Sequence, residues 1–215
     1  MRPIHLIRIL LFSFTLSCIF AVMSDESWEK LRKNHALSRI ITSDAQIHFN
    51  LAMTYAYTGF IEEGFKEIAM IPSLDMTFKE KALEKYAKRV ARFPRSWEDH
   101  FYYAFALYVN EKKMEAVDQF KDVIQLASDP SIKGWASGYI AYIYGERKEW
   151  SQAMESITQA IRYEPDGATL YFAMALARKE TGDTVGAAGA IIVATTLQAK
   201  QMLGSRSLAR LRNEK

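Results

Sequence analysis

The 215-residue sequence has a single cysteine, Cys18, so the chain can form no internal disulfide and must be held together by packing. Glycine and proline are scarce, at 10 and 5 residues, which excludes collagen-like and low-complexity readings. Charge of one sign is also lacking. The formal net charge is +3, and without Arg2 and Arg8 in the N-terminal segment it falls to 26 cations against 25 anions, too even a balance to mark a nucleic-acid partner. The motifs of chemistry are missing as well. The histidines are His5, His35, His48 and His100, and no HExxH, phosphate-binding glycine loop, nucleophile elbow or Cys–His pairing occurs. These absences point to a protein that is not an enzyme and has no cofactor, no metal and no small-molecule substrate.

What is present is an ordinary folded composition, 49% hydrophobic and 25% charged, behind an N-terminal segment of a different kind. Arg2, His5 and Arg8 precede an uncharged apolar run from Ile9 to Met23, and polar Ser24, Asp25 and Glu26 follow. A basic flank and a 15-residue run fit a secretory signal peptide better than a membrane span, which needs about 20 apolar residues. Cleavage after Ala21 or Ser24, retention as an anchor at the outer membrane face, and lipidation at Cys18 remain open. Each puts the domain outside the cytoplasm, in the cell envelope, periplasm or extracellular space.

The most legible stretch is Gly134–Pro165, GWASGYIAYIYGERKEWSQAMESITQAIRYEP. Trp135, Tyr139, Ile140 and Ile143, then Trp150, Ala153, Ile157, Ala160 and Ile161, recur at helical spacing on either side of a short charged turn. Ala141 and Ala153 stand twelve residues apart, one on each helix, where small side chains let two backbones approach closely. Ala52 and Gly64, Ala104 and Ala116, and Ala175 and Ala187 repeat the spacing, and Ile68, Phe120, Ile157 and Ile191 follow four residues on. This frame resembles the tetratricopeptide repeat, a helix–turn–helix of about 34 residues. The resemblance implies an all-α, right-handed superhelical solenoid of antiparallel helix hairpins.

In this frame residues 25–44 form an N-terminal helix covering the open end of the stack, with Trp28, Leu31 and Ala36 inward. The repeat domain spans 45–200, with units at about 45–71, 97–130, 134–165 and 168–200, and 201–215 is a basic tail. Ser43 and Gln46 suggest a capping box for the first repeat helix, which Gly59 ends, and the next helix stops before Pro72. Residues 77–93 form an inserted helix with the stripe Phe78, Ala82, Tyr86, Val90 and Phe93. Ala82 lies 34 residues before Ala116, so this helix mimics the second helix of a repeat. If 61–71 and 77–93 are both full helices, regular up-down alternation fails, and either one helix bends onto its neighbour or the stack is interrupted.

Aligned to the family, the first helix of each repeat points Phe49, Met53, Tyr57, Phe101, Phe105, Tyr108, Trp135, Tyr142, Phe172 and Leu176 into a concave groove, where aromatic anchors commonly dominate binding. The same residues can instead pack between helices, because an offset of one position turns each by about 100°. Lys81, Lys85, Lys88, Arg92 and Arg95 line one face of the inserted helix, opposite its apolar stripe, and suit anionic lipid or an acidic partner. Phe49, Met53 and Trp135 occupy places where family members that grip acidic chaperone tails carry lysines and asparagines, which disfavours that role despite Asn50. His48 and His100 fall in corresponding places of two repeats, where a medium-sized amphipathic ring packs. The reading is a non-enzymatic interaction scaffold, exported or membrane-tethered, that binds a peptide or helix of a protein partner. The alternatives are a structural or membrane-surface protein whose groove is filled by its own chain, and an accessory domain for an enzyme encoded elsewhere.

Overall fold

The computed structural model describes residues 25–204; the expected signal or anchor, Cys18 and the tail beyond Gly204 lie outside the described residues. Every regular element described is an α-helix: α1 (Asp25–Ile40), α2 (Ala45–Thr58), α3 (Ile61–Leu74), α4 (Phe78–Arg92), α5 (Trp97–Val109), α6 (Lys113–Leu126), α7 (Pro130–Glu146), α8 (Trp150–Tyr163), α9 (Ala168–Glu180) and α10 (Thr184–Gly204). None of the described helices is long and apolar enough to cross a membrane.

Local chemistry fixes the helix ends. Asp44 rather than Ser43 caps α2, its carboxylate accepting from the N–H groups of Gln46 at 2.7 Å and Ile47 at 3.4 Å. The Gln46 side chain donates instead to Asn50 and Tyr86, so the expected capping box does not form. Gly59 closes α2 in the left-handed region at φ 83°, which only glycine adopts without strain. Helix α3 runs through Pro72 to Leu74 rather than stopping at Ile71, since a proline in the last turn forfeits a single donor. Ser96 caps α5 by accepting from the Asp99 N–H, and Asp129 caps α7 with Pro130 in its first turn.

The paired small residues do the work their spacing demands. Ala52, Gly64, Ala104, Ala116, Ala141, Ala153, Ala175 and Ala187 are all buried, and a Cβ added at Gly64 would lie 3.2 Å from the Ala52 carbonyl oxygen. Of the bulky residues that follow, Phe120 and Ile157 are buried and Ile68 is half-buried, but Ile191 is 46% exposed. Helix α10 is the last one described, and among the described residues no further hairpin covers that side of it.

From α4 onward each helix packs on the next, through α5, α6, α7, α8 and α9 to α10. Helix α4, with Ala82 buried, therefore takes the place before α5 that the second helix of a repeat would hold, which resolves the parity conflict. The α2/α3 hairpin leaves the regular stack, and α2 runs across its inner side. At the start of α2, Gln46 and Phe49 meet Tyr86 and Phe78 of α4; further along, Asn50 and Tyr57 meet Tyr102, Trp97 and Phe101 of α5. At its end the Ala56 carbonyl accepts from the Tyr139 hydroxyl of α7 at 3.0 Å, and Ile61 packs beside Trp135 and Leu170. Helix α1 backs α2 through Leu31, clustered with Leu51, Tyr55 and Phe60, instead of closing the end of the stack, and Ala36 is exposed.

Internally, α2/α3 is still a repeat hairpin. His48 and His100 are both buried and make the same bridge, to a backbone carbonyl six residues earlier and a side chain nineteen residues later. The contacts are Thr42 O at 3.2 Å and Glu67 at 2.6 Å for His48, and Pro94 O at 3.2 Å and Gln119 Oε1 at 2.8 Å for His100. Both nitrogens of each ring face oxygen acceptors, so the ring staples the loop before the first helix to the second helix.

Ala104→Leu overfills a crossing and costs about 1–3 kcal/mol in urea denaturation, whereas Ile191→Ala, on the uncovered side of α10, changes stability by less than about 0.5 kcal/mol. At the α7/α8 hairpin, a Cβ on Gly134 would come within 2.8 Å of the Glu164 Cβ, and burial there, helped by Asp166 and Asp129, raises the Glu164 carboxyl above its ordinary range. The folded form then binds more protons than the unfolded chain between the two pKa values, so stability declines as pH rises through that window. Glu164→Gln raises the denaturation midpoint at neutral pH, and the gain shrinks as pH falls toward the ordinary carboxylate pKa.

Candidate partner-binding face

The inner side of α5 and α7 is an aromatic cluster. Phe101 lies 5.5 Å from Tyr57, 5.2 Å from Phe105, 5.7 Å from Phe120 and 6.0 Å from Tyr139, and Phe120 stacks on Tyr139 at 5.5 Å. Phe49 is ringed by Phe78, Tyr86 and Tyr102. Burial raises the Tyr139 phenol far above its usual pKa, so the hydroxyl stays protonated and donates to α2.

This geometry corrects the expected groove. Phe49, Met53 and Tyr57 do not line it; they sit on the helix that fills it, each at most 2% exposed. Phe101 and Trp135 are equally buried, Phe101 under Tyr57 and Trp135 against Ala160 and Leu170. The cause is the parity shift, because α4 in the stack leaves α2 as an occupant rather than a wall. Phe105, Tyr108, Tyr142, Phe172 and Leu176 remain half-buried. Of these, Tyr108 and Tyr142 are paired edge to face at 6.1 Å, and the Tyr108 hydroxyl meets both oxygens of Glu146 at 3.1 Å, with Lys113 3.2 Å from the same carboxylate. Sequence reasoning missed Trp97 and Tyr102, and it placed Tyr86 and Tyr139 on helix faces without assigning either to this cluster. Tyr139 had a usable signal, one turn after Trp135 on the same face.

The basic face on α4 also differs from expectation. Lys81, Lys85, Lys88 and Arg92 fall within an arc of about 60°, but roughly 110° round the helix from Ala82 and Tyr86, so the stripe flanks the apolar face instead of opposing it. Lys81 is paired with Asp75 at 2.8 Å, Lys88 with Glu84 at 2.6 Å, and Lys85 donates to Gln46 Oε1 at 2.7 Å. Arg95 lies beyond the helix, in the corner that leads to α5. Among the described residues, no group of three or more His, Cys, Asp or Glu side chains converges as a metal site would require.

No known family profile matches the chain, and no curated protein does. Solved structures of MamA share its fold. A double mutant of MamA RS-1 superposes with a TM-score of 0.53 at 13% identity, covering 81% of this chain and 86% of that one. MamA MSR-1 gives 0.50 at 14% identity, covering 81% and 95%. The fold is a tetratricopeptide-like helical solenoid. At such low identity the likeness to MamA extends to the arrangement of helices and no further.

If α2 is held chiefly by aromatic contacts with α5, Tyr57→Ala, which removes the contacts with Trp97 and Phe101, costs about 3–5 kcal/mol. Amide hydrogen exchange should then rise first in residues 45–74 while α7 to α9 stay protected. Uniform loss of protection would contradict a separable α2/α3 hairpin.

Proposed function

We propose that this protein is a non-enzymatic interaction scaffold, exported or held at a membrane by its N-terminal apolar segment, that docks a helix or extended segment of a protein partner. One observation carries this reading. The stack already holds a helix, α2, with aromatic rings and a tyrosine hydroxyl directed at a main-chain carbonyl, the chemistry by which such a surface would hold a helix from another protein. The partner's share of the inner face is then the end that α2 leaves uncovered, at Tyr108, Tyr142, Phe172 and Leu176. The fold likeness to MamA agrees with a scaffold but does not bear on the partner.

A second reading has a specific observation behind it. Because α2 is buried on the inner side, the groove is self-filled, and the protein can serve as a structural element without capturing a partner there. The two readings separate under substitution. Tyr108→Ala/Tyr142→Ala, which spares the buried Phe101 and Trp135, weakens recovery of a specific partner from the native host at least tenfold while leaving the helical circular dichroism intact. Unchanged recovery with intact helicity favours the self-filled structural element.

A further inference from the structure

Charge is segregated along this nearly neutral chain. Residues 78–96 carry seven cations against two anions, while the rest of residues 25–215 sums to −4. Arg89 is committed to the buried Asp99 at 2.5 Å and Lys85 to Gln46, but the pairs of Lys81 and Lys88 are exposed and exchange readily with other anions. At the corner between α4 and α5, Phe93 is 44% exposed, and the guanidinium groups of Arg89 and Arg92 stand 5.7 Å and 5.2 Å from its ring centre. A half-exposed aromatic ring among arginines suits a headgroup region, with the ring at the acyl boundary and the cations at the phosphates.

The place where the chain enters the fold lies beside this corner. Lys30 of α1 is ion-paired with Glu98, in the first turn of α5 and three residues after Arg95. Asp25 begins α1 five residues before Lys30, a rise of about 7.5 Å along the helix. The uncharged run Ile9–Met23 ends two residues before Asp25 in sequence. A bilayer that holds that run meets the fold at α1, whose Lys30 contacts the first turn of α5 three residues from Arg95.

We propose that the α4–α5 corner is a docking face for anionic phospholipid, which fixes the orientation of the solenoid on a membrane. This rests on the tether in the proposed function and is independent of the protein partner. Each Lys or Arg near an anionic surface contributes roughly fivefold to affinity, and the contribution falls off with added salt.

The test uses the full chain on vesicles of phosphatidylcholine alone or mixed with phosphatidylglycerol, and reads acylation of lysine amines by a water-soluble reagent. On phosphatidylglycerol vesicles, Lys88 labelling should drop several-fold while Lys121, exposed on α6, is unchanged; the protection should disappear at high salt and in Arg92→Glu/Arg95→Glu, with the chain still bound. Equal Lys88 labelling on both vesicle types, with the chain bound to both, overturns the docking face and leaves the tether standing. Failure to bind either vesicle overturns both. Protection that survives the double charge reversal also rejects the docking face, since contact would then not depend on these cations.

Discussion

The fold depends on the close approach of helix backbones at paired small residues. Where Ala52 meets Gly64, or Ala104 faces the Ala116 helix, there is no room for a larger side chain, and the gap between the axes is closed by Phe120, Ile157 and their neighbours. Buried methyl and methylene groups supply most of the favourable free energy, and close packing makes that energy sensitive to a single added carbon. Without a disulfide or a described metal cluster, each hairpin relies on this contact with its neighbour, as expected for a solenoid.

Against that regular background, the departure is α2. A helix with three large apolar residues at successive turns, Phe49, Met53 and Tyr57, must bury them somewhere. Because α4 has taken the neighbouring place in the stack, they are buried against the inner face, which α2 thereby occupies. The tyrosine hydroxyls take part in this. Tyr139 meets the Ala56 carbonyl, and Tyr86 and Tyr102 reach Gln46 and Asn50, so the polar atoms carried in with these large rings find partners rather than weakening the interface.

The arrangement divides the molecule's surface by chemistry. The inner face is aromatic and largely occupied; the α4 flank is basic with exposed ion pairs; and the outer side of α10 leaves Val185, Ile191 and Ile192 exposed. In a stack where each element touches mainly its neighbours, these surfaces are largely independent of one another. Changes at the α4–α5 corner need not disturb Tyr108, which sits at the other end of α5.

Much of the architecture was legible in the sequence because its causes are local. Asp129–Pro130, Ser96 and Gly59 mark helix ends through the geometry of one or two residues, and the twelve-residue spacing of small side chains follows from how an antiparallel hairpin crosses. The equivalence of His48 and His100 was visible for the same reason, since their bridges span a single hairpin. The competition between α3 and α4 was not legible. Gly64 and Ala82 both offer the small surface that a helix before α5 requires, and no local signal ranks them. That choice is made by the summed burial of residues far apart in sequence, Phe49 with Phe78 and Tyr102, Tyr57 with Trp97, Ile61 with Trp135 and Leu170. It decides whether the aromatic face is an open groove or a closed one. The sequence alone determined that the chain is a set of helical hairpins with close crossings; only the tertiary structure decided which hairpin lies inside the others, because that depends on contacts no single hairpin contains.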